Sequence, residues 1–193
     1  MAGIQEPSPS RKVRADAERN RGLLLATAKA AFADKGSGAS MDEIARTAGV
    51  GAGTLYRHFP NRDALIEAVY LNETQQLAQA ATELAASFSP VEALRAWMRL
   101  FVDYIATKRV MAEALASLTG GTSALYAKTT ALITAALTLL IDRAVASGEI
   151  HLELEPLDLL RALSGVANVA GSAAADQGAK RLIDVLIAGL RKF

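Results

Sequence analysis

Apolar residues recur three and four positions apart along most of the chain, and no stretch of useful length alternates with a period of two. That spacing predicts amphipathic helices stacked on one another, and no sheet. A first helix is expected over 15–34, with Leu24, Ala28, Ala31 and Phe32 inward and Gly36 just past its end. Two short helices follow. Ser40 stands at an N-cap position with Glu43 three residues on, the pattern of a capping box. Ile44, Ala45 and Ala48 share a face, and Gly49 closes the helix where a positive φ is needed. Val50 plugs the turn, and a second helix over 52–59 buries Leu55 and Phe59 before Pro60 stops it. Asn61 can cap a long helix reaching about Ser87, whose first turns belong with the short helices and whose remainder belongs to the second half of the chain. Ser89-Pro90-Val91-Glu92 opens the next helix, to about Lys108. Further helices are expected over 110–118, 123–147, 156–174 and 178–193. The fold class is therefore all-α: an N-terminal three-helix helix-turn-helix domain followed by a larger helical bundle.

The chemistry is concentrated in residues 40–62. With Leu55 and Phe59 inward, Thr54, Tyr56, Arg57 and His58 fall on the sides and outer surface of the second short helix. All four can donate to phosphates or base edges. Gly51, Ala52 and Gly53 place almost no side chain at its N-terminus, so backbone N–H groups can approach a phosphate closely. Two helices joined by a tight glycine turn are the arrangement that seats a helix in the major groove of double-stranded DNA. Gly49, Gly51 and Gly53 do not make a nucleotide-binding loop, because no strand precedes them and no Gly-Lys-Ser/Thr follows.

Residues 23–67 resemble the DNA-binding domain of the TetR family of bacterial transcriptional regulators. The resemblance rests on Phe32, Gly36, Ile44-Ala45, Ala48-Gly49-Val50, Gly53-Thr54-Leu55-Tyr56, His58-Phe59 and Ala64-Leu65. It implies that the helix over 52–59 is the recognition helix, and that Thr54, Tyr56 and His58 contact the operator, mostly at phosphates. Gly51 departs from the pattern, standing where serine or threonine is common; Arg62 replaces the usual lysine and could bind phosphate bidentately. Ser40, Gly51, Ala52, Gly53, Thr54, Tyr56, Arg57, His58 and Arg62 form the expected DNA-binding set. The organisation read from this is a flexible basic arm over 1–14, the DNA-binding domain over 15–66, and a ligand-binding and dimerisation domain over 67–193.

The second domain carries two further features. Trp97, Phe101 and Tyr104 share a helix face, with Met111 and Tyr126 on neighbouring helices. They are either ordinary core or the wall of a cavity for an apolar or aromatic small molecule. Asn168 is either a polar anchor in that cavity or a helix-contact hydrogen bond. No charged residue is obviously buried there, so the effector is expected to be largely hydrophobic. The stretch Ala162–Ala175 is small or apolar around its whole circumference, and the final helix has a similarly wide apolar face. A homodimer joined through these two helices is the reading, matching two recognition helices to a palindromic operator. The resemblance implies the same dimer, with an inducer bound in this domain and derepression as the mechanism. The alternative is a small-molecule-binding helical protein without regulatory DNA binding.

Composition adds little. Net charge is +1, and residues 1–70 carry ten Lys/Arg against eight Asp/Glu, so charge alone would not point to nucleic acid. The basic character is local: five positive and two acidic residues lie between Arg11 and Arg21, either an arm reaching along DNA or a solubilising tail. With no cysteine and two distant histidines, His58 and His151, the chain lacks the supplies for catalysis or a metal site, and no cofactor is expected. Residues 1–21 have no apolar secretory core, and the apolar stretch near 131–141 is too short to span a bilayer, so no membrane partner and a cytoplasmic location are expected.

Overall fold

The computed structural model describes residues 9–169 and 173–191. Among them are nine α-helices and one 3₁₀ turn: α1 (Pro9–Lys35), the turn Gly36–Gly38, α2 (Met41–Thr47), α3 (Ala52–His58), α4 (Arg62–Ser87), α5 (Pro90–Val110), α6 (Ala112–Ala116), α7 (Ser123–Ala146), α8 (Pro156–Val169) and α9 (Ala173–Leu190). No strand occurs among the described residues. A lone antiparallel bridge pairs Ile150 with Arg191, and the His151 N–H donates to the Leu190 carbonyl at 2.8 Å.

The first three helices form around Leu24, Ala28, Phe32, Ile44, Ala45, Leu55 and Phe59, all essentially fully buried. Gly49 takes φ +71° at the α2–α3 turn, and the Val50 N–H reaches back to the Ala45 carbonyl at 3.0 Å. Asn61 caps α4, its Oδ1 accepting from the Ala64 N–H at 2.8 Å. The capping box at α2 does not form. Ser40 has N-cap backbone angles but makes no side-chain cap, while Glu43 accepts from Lys35 Nζ at 2.6 Å. A charge-assisted bond to the end of α1 outcompetes a bond to the backbone.

α4 is the spine. Leu65, Ile66 and Val69 enter the first core; Tyr70, Thr74, Leu77 and Ala81 enter the second, which α5 and α7 complete. At 26 residues it runs about 39 Å. α7 corrects one expectation: it is 24 residues and apolar enough to cross a membrane by length and composition. Its apolar face packs as core instead, burying Leu125, Ile133, Leu137, Leu140 and Ile141.

Two boundaries differ from the sequence reading among the described residues. α1 begins at Pro9, so residues 9–14 of the expected arm are helical; residues 1–8 lie outside the described residues. α9 is already helical at Ala173, ahead of the expected start at Gly178, while α8 is described as far as Val169 and residues 170–172 lie outside the described residues. α9 is held to α5 by Arg99–Asp184 at 2.9 Å and Lys180–Asp103 at 2.7 Å. Ile183 and Ile187 face inward, which leaves Leu182, Val185 and Leu186 exposed on the opposite side.

Candidate functional site

α3 presents the expected surface. Leu55 and Phe59 anchor it, and Tyr56 stands 45% exposed with its phenol in solvent. Gly51, Ala52 and Gly53 are exposed, and a Cβ at either glycine would meet nothing within 4 Å, so no described residue covers this end of the helix. Thr54 and His58 are half-buried along the sides. Arg57 lies back along its own helix, its Nε donating to the Gly53 carbonyl at 3.1 Å and its Nη2 to Thr54 Oγ1 at 3.2 Å. Both groups are therefore paired with each other before any partner arrives. Ser40 is exposed at the start of α2.

Arg62 belongs elsewhere. Its guanidinium donates to the Gly36 carbonyl at 3.0 Å and also to the Ala39 carbonyl, and it lies 5.2 Å over the Phe32 ring. Each terminal nitrogen donates once to the loop joining α1 to α2, so the residue clamps that loop inside the domain.

The two halves touch at the same loop. Ser37 Oγ donates to Glu113 Oε1 of α6 at 2.5 Å, and a Cβ on Gly36 would collide with the Glu113 carboxylate. Gly36 also has φ +51°, a conformation that favours glycine, and a larger residue there would push the Glu113 side chain off Ser37. Beyond α6, the Thr119 N–H donates to Asp63 Oδ2, in the first turn of α4, at 3.0 Å. The Ser37 bonds hold the Glu113 carboxyl below the usual carboxylate range, and the Thr119 bonds do the same for Asp63. Sequence reasoning missed these contacts because residues 37 and 113 are joined only by the fold.

A cavity of about 570 Å³ opens among α4, α5, α7 and α8. Of the expected pocket residues, Phe101, Tyr104 and Tyr126 line it. Trp97 and Met111 do not: both are fully buried, and the indole N–H donates to the Leu77 carbonyl of α4 at 2.8 Å. Trp97 is core, stacked on Phe101 at 5.8 Å between centroids, one step behind the wall. Asn168 lies on α8, but its side chain falls outside the described residues. The wall gains residues the sequence did not single out, among them Tyr70, Lys108, Thr129, Arg161 and Ser164. Tyr70 packs against Tyr104 at 6.0 Å and Tyr126 at 5.7 Å, and Thr74 Oγ1 lies 3.2 Å from the Tyr104 hydroxyl. Burial pushes the Tyr70 phenol well up and raises that of Tyr104, so both are neutral at neutral pH.

Lys108 and Arg161 correct the expectation that no charge faces this cavity. Lys108 is half-buried, with Nζ 4.0 Å from the centroid of the Tyr126 ring, and Arg161 pairs with Asp158 at 2.9 Å at the exposed rim. Helix periodicity places Lys108 at the end of α5 but cannot tell that its stem turns inward. No cluster of His, Cys, Asp and Glu able to hold a metal occurs among the described residues.

Comparison with known proteins agrees with this geometry. Residues 24–69 match the family described as bacterial regulatory proteins, tetR family, and residues 89–192 match the transcriptional regulator SbtR-like C-terminal domain. The TetR transcriptional regulator SCO0520 from Streptomyces coelicolor is 43% identical, superposes with a TM-score of 0.80, and is covered over 98% of its length by 89% of this chain. A TetR transcription regulatory protein from Mycobacterium vanbaalenii is 34% identical with a TM-score of 0.77, covering 93% of this chain and 99% of its own. The HTH-type transcriptional regulator UidR of Escherichia coli K12 is 32% identical over 108 residues, 55% of this chain. The chain spans about half the length of that curated relative, 46%. From the helix-turn-helix, the shared spine and these matches together, the chain belongs to the TetR family of DNA-binding transcriptional regulators and is not an enzyme.

Proposed function

We propose that the chain is a repressor acting as a homodimer on a palindromic operator, released when a small molecule with a largely apolar body enters the cavity among α4, α5, α7 and α8. The observation that carries this reading is the surface of α3, whose anchors are buried while Tyr56 is held out in solvent beside Thr54 and His58. The DNA-facing set is Thr54, Tyr56, His58 and the open N-terminal turn of Gly51, Ala52 and Gly53, with Ser40 at the edge and Arg57 free to leave its helix. Dimerisation through α8 and α9 is supported by Leu182, Val185 and Leu186, which point away from the chain's own core. Release is coupled through α4 and α6: a ligand against Tyr70 and Tyr104 favours a second arrangement of the spine, and weakens DNA binding only as far as it prefers that arrangement. The setting is the cytoplasm, where the operator lies.

Selection of duplex fragments from the source genome tests this. Enriched fragments should share an inverted repeat upstream of a gene, and their affinity should fall steeply with salt as counterions are released. The reading is sunk if no fragment is retained above random DNA at low salt. A single unrepeated motif removes the palindrome, and transcription that rises with the protein present makes it an activator.

A further inference from the structure

The lining of the cavity is electrically one-sided. It contains two cations, Lys108 and Arg161, and no carboxylate among its described residues. Arg161 has an answer in Asp158. Lys108 has none: its one contact among the described residues is the face of the Tyr126 ring. Burial holds the Lys108 ammonium below the usual lysine range, the sign of a charge kept partly from water without a counterion. The same lining carries the phenols of Tyr70 and Tyr104 and the hydroxyls of Thr130 and Ser164, beside an apolar face of Phe101, Ile105 and Ile133.

Each class of occupant meets this lining differently. An organic cation would find no anion to pair with and would displace water from a half-buried ammonium of the same sign. A neutral apolar molecule would fill the space and strip further water from Lys108 without replacing it. An anion would complete a charge-assisted hydrogen bond already aimed from one side. We propose that the effector is an amphipathic organic acid, its apolar or aromatic body lying against Phe101, Ile105 and Ile133 and its carboxylate taken by Lys108. This rests on the reading of the cavity as the effector site and adds the head-group charge that the site selects.

Two trios of probes, each alike except for the head group, separate the possibilities: 4-phenylbutyrate, 4-phenylbutanol and 4-phenylbutylamine, and decanoate, decanol and decylamine. Binding to the full-length protein is measured by titration calorimetry at pH 7.5. In at least one trio the acid should bind tenfold or more tightly than its alcohol, with the amine weakest. Lys108→Gln should remove the acid's advantage while leaving the alcohol's affinity within twofold, and Lys108→Arg should retain it. An alcohol or amine that matches its acid in both trios on the wild-type protein overturns the charge assignment and leaves the effector site standing. So does an acid preference that survives Lys108→Gln. If none of the six binds at millimolar concentration, the effector-site reading fails and this one with it. The wild-type comparison decides even if a variant fails to fold.

Discussion

Tyr56 and Arg62 are both polar side chains near the recognition helix, and the fold gives them opposite tasks. Tyr56 is held outward by the burial of Leu55 and Phe59; Arg62 turns inward to the Gly36 and Ala39 carbonyls. Substitution should separate them. Tyr56→Phe and Thr54→Ala should each weaken operator binding by about 1–2 kcal/mol, the scale of a hydrogen bond to a charged group, with the thermal midpoint unchanged. Arg62→Ala should instead lower stability by about 2 kcal/mol, because two carbonyls lose a charged donor, and should do so equally with and without DNA. Denaturant melts beside anisotropy titrations of the three variants check both halves. A Tyr56→Phe, Thr54→Ala double variant that is folded and binds like the wild type would remove α3 from the groove. The outward set was legible from spacing alone, because a helix with two buried anchors fixes where its other residues point. Arg62 was not, because its partners are backbone carbonyls more than twenty positions upstream.

Among the elements, α6 and the 3₁₀ turn carry the contact that local pattern could not reveal. Two carboxylates that cross the boundary, Glu113 and Asp63, have pKa values lowered by the bonds they accept. A depressed carboxylate contributes its stabilisation above its ordinary value, 4.5 for Glu113 and 3.8 for Asp63, and loses it as pH falls through the lowered value. The two contacts are therefore intact at neutral pH and loosen only in acid. Glu113→Ala should leave effector affinity unchanged, yet shrink by at least threefold the ratio of operator affinities measured without and with effector. Unaltered coupling in that variant would place the transmission wholly in α4. The helices themselves were readable from capping and periodicity, and most bounds fall within a residue or two. The failures are instructive. Ser40 has the sequence of a capping box and loses Glu43 to Lys35, since a nearby opposite charge outweighs a local bond. The helical start of α9 ahead of Gly178 was missed because Ala173-Ala174-Ala175 carries no N-cap signal.

For the whole molecule, the proposed homodimer rests on the exposed apolar edge of α9. Val185 is 65% exposed and Leu182 47%, on a helix already tied by ion pairs to α5 on its other side. A monomer would leave this edge in water. Leu182→Lys with Val185→Lys should convert a dimer into a folded monomer, since neither side chain supports the chain's own core, and should lower operator affinity more than tenfold. Sedimentation at micromolar concentration checks it, and a wild-type monomer would dispose of the interface. Fold class and the long helix shared by the two halves were open to the sequence; the contacts of Ser37 with Glu113 and of Asp63 with Thr119 were not. α4 contributes Leu65, Ile66 and Val69 to one core and Tyr70, Leu77 and Ala81 to the other, within one continuous buried cluster. The DNA-reading head is thus not a detachable module. A chimera that exchanged heads between two relatives at a loop would sever either core, because the boundary runs along the faces of one helix. A working graft must carry α4 whole, together with a matching Gly36–Glu113 seam, so specificity for DNA and specificity for effector are inherited through the same helix.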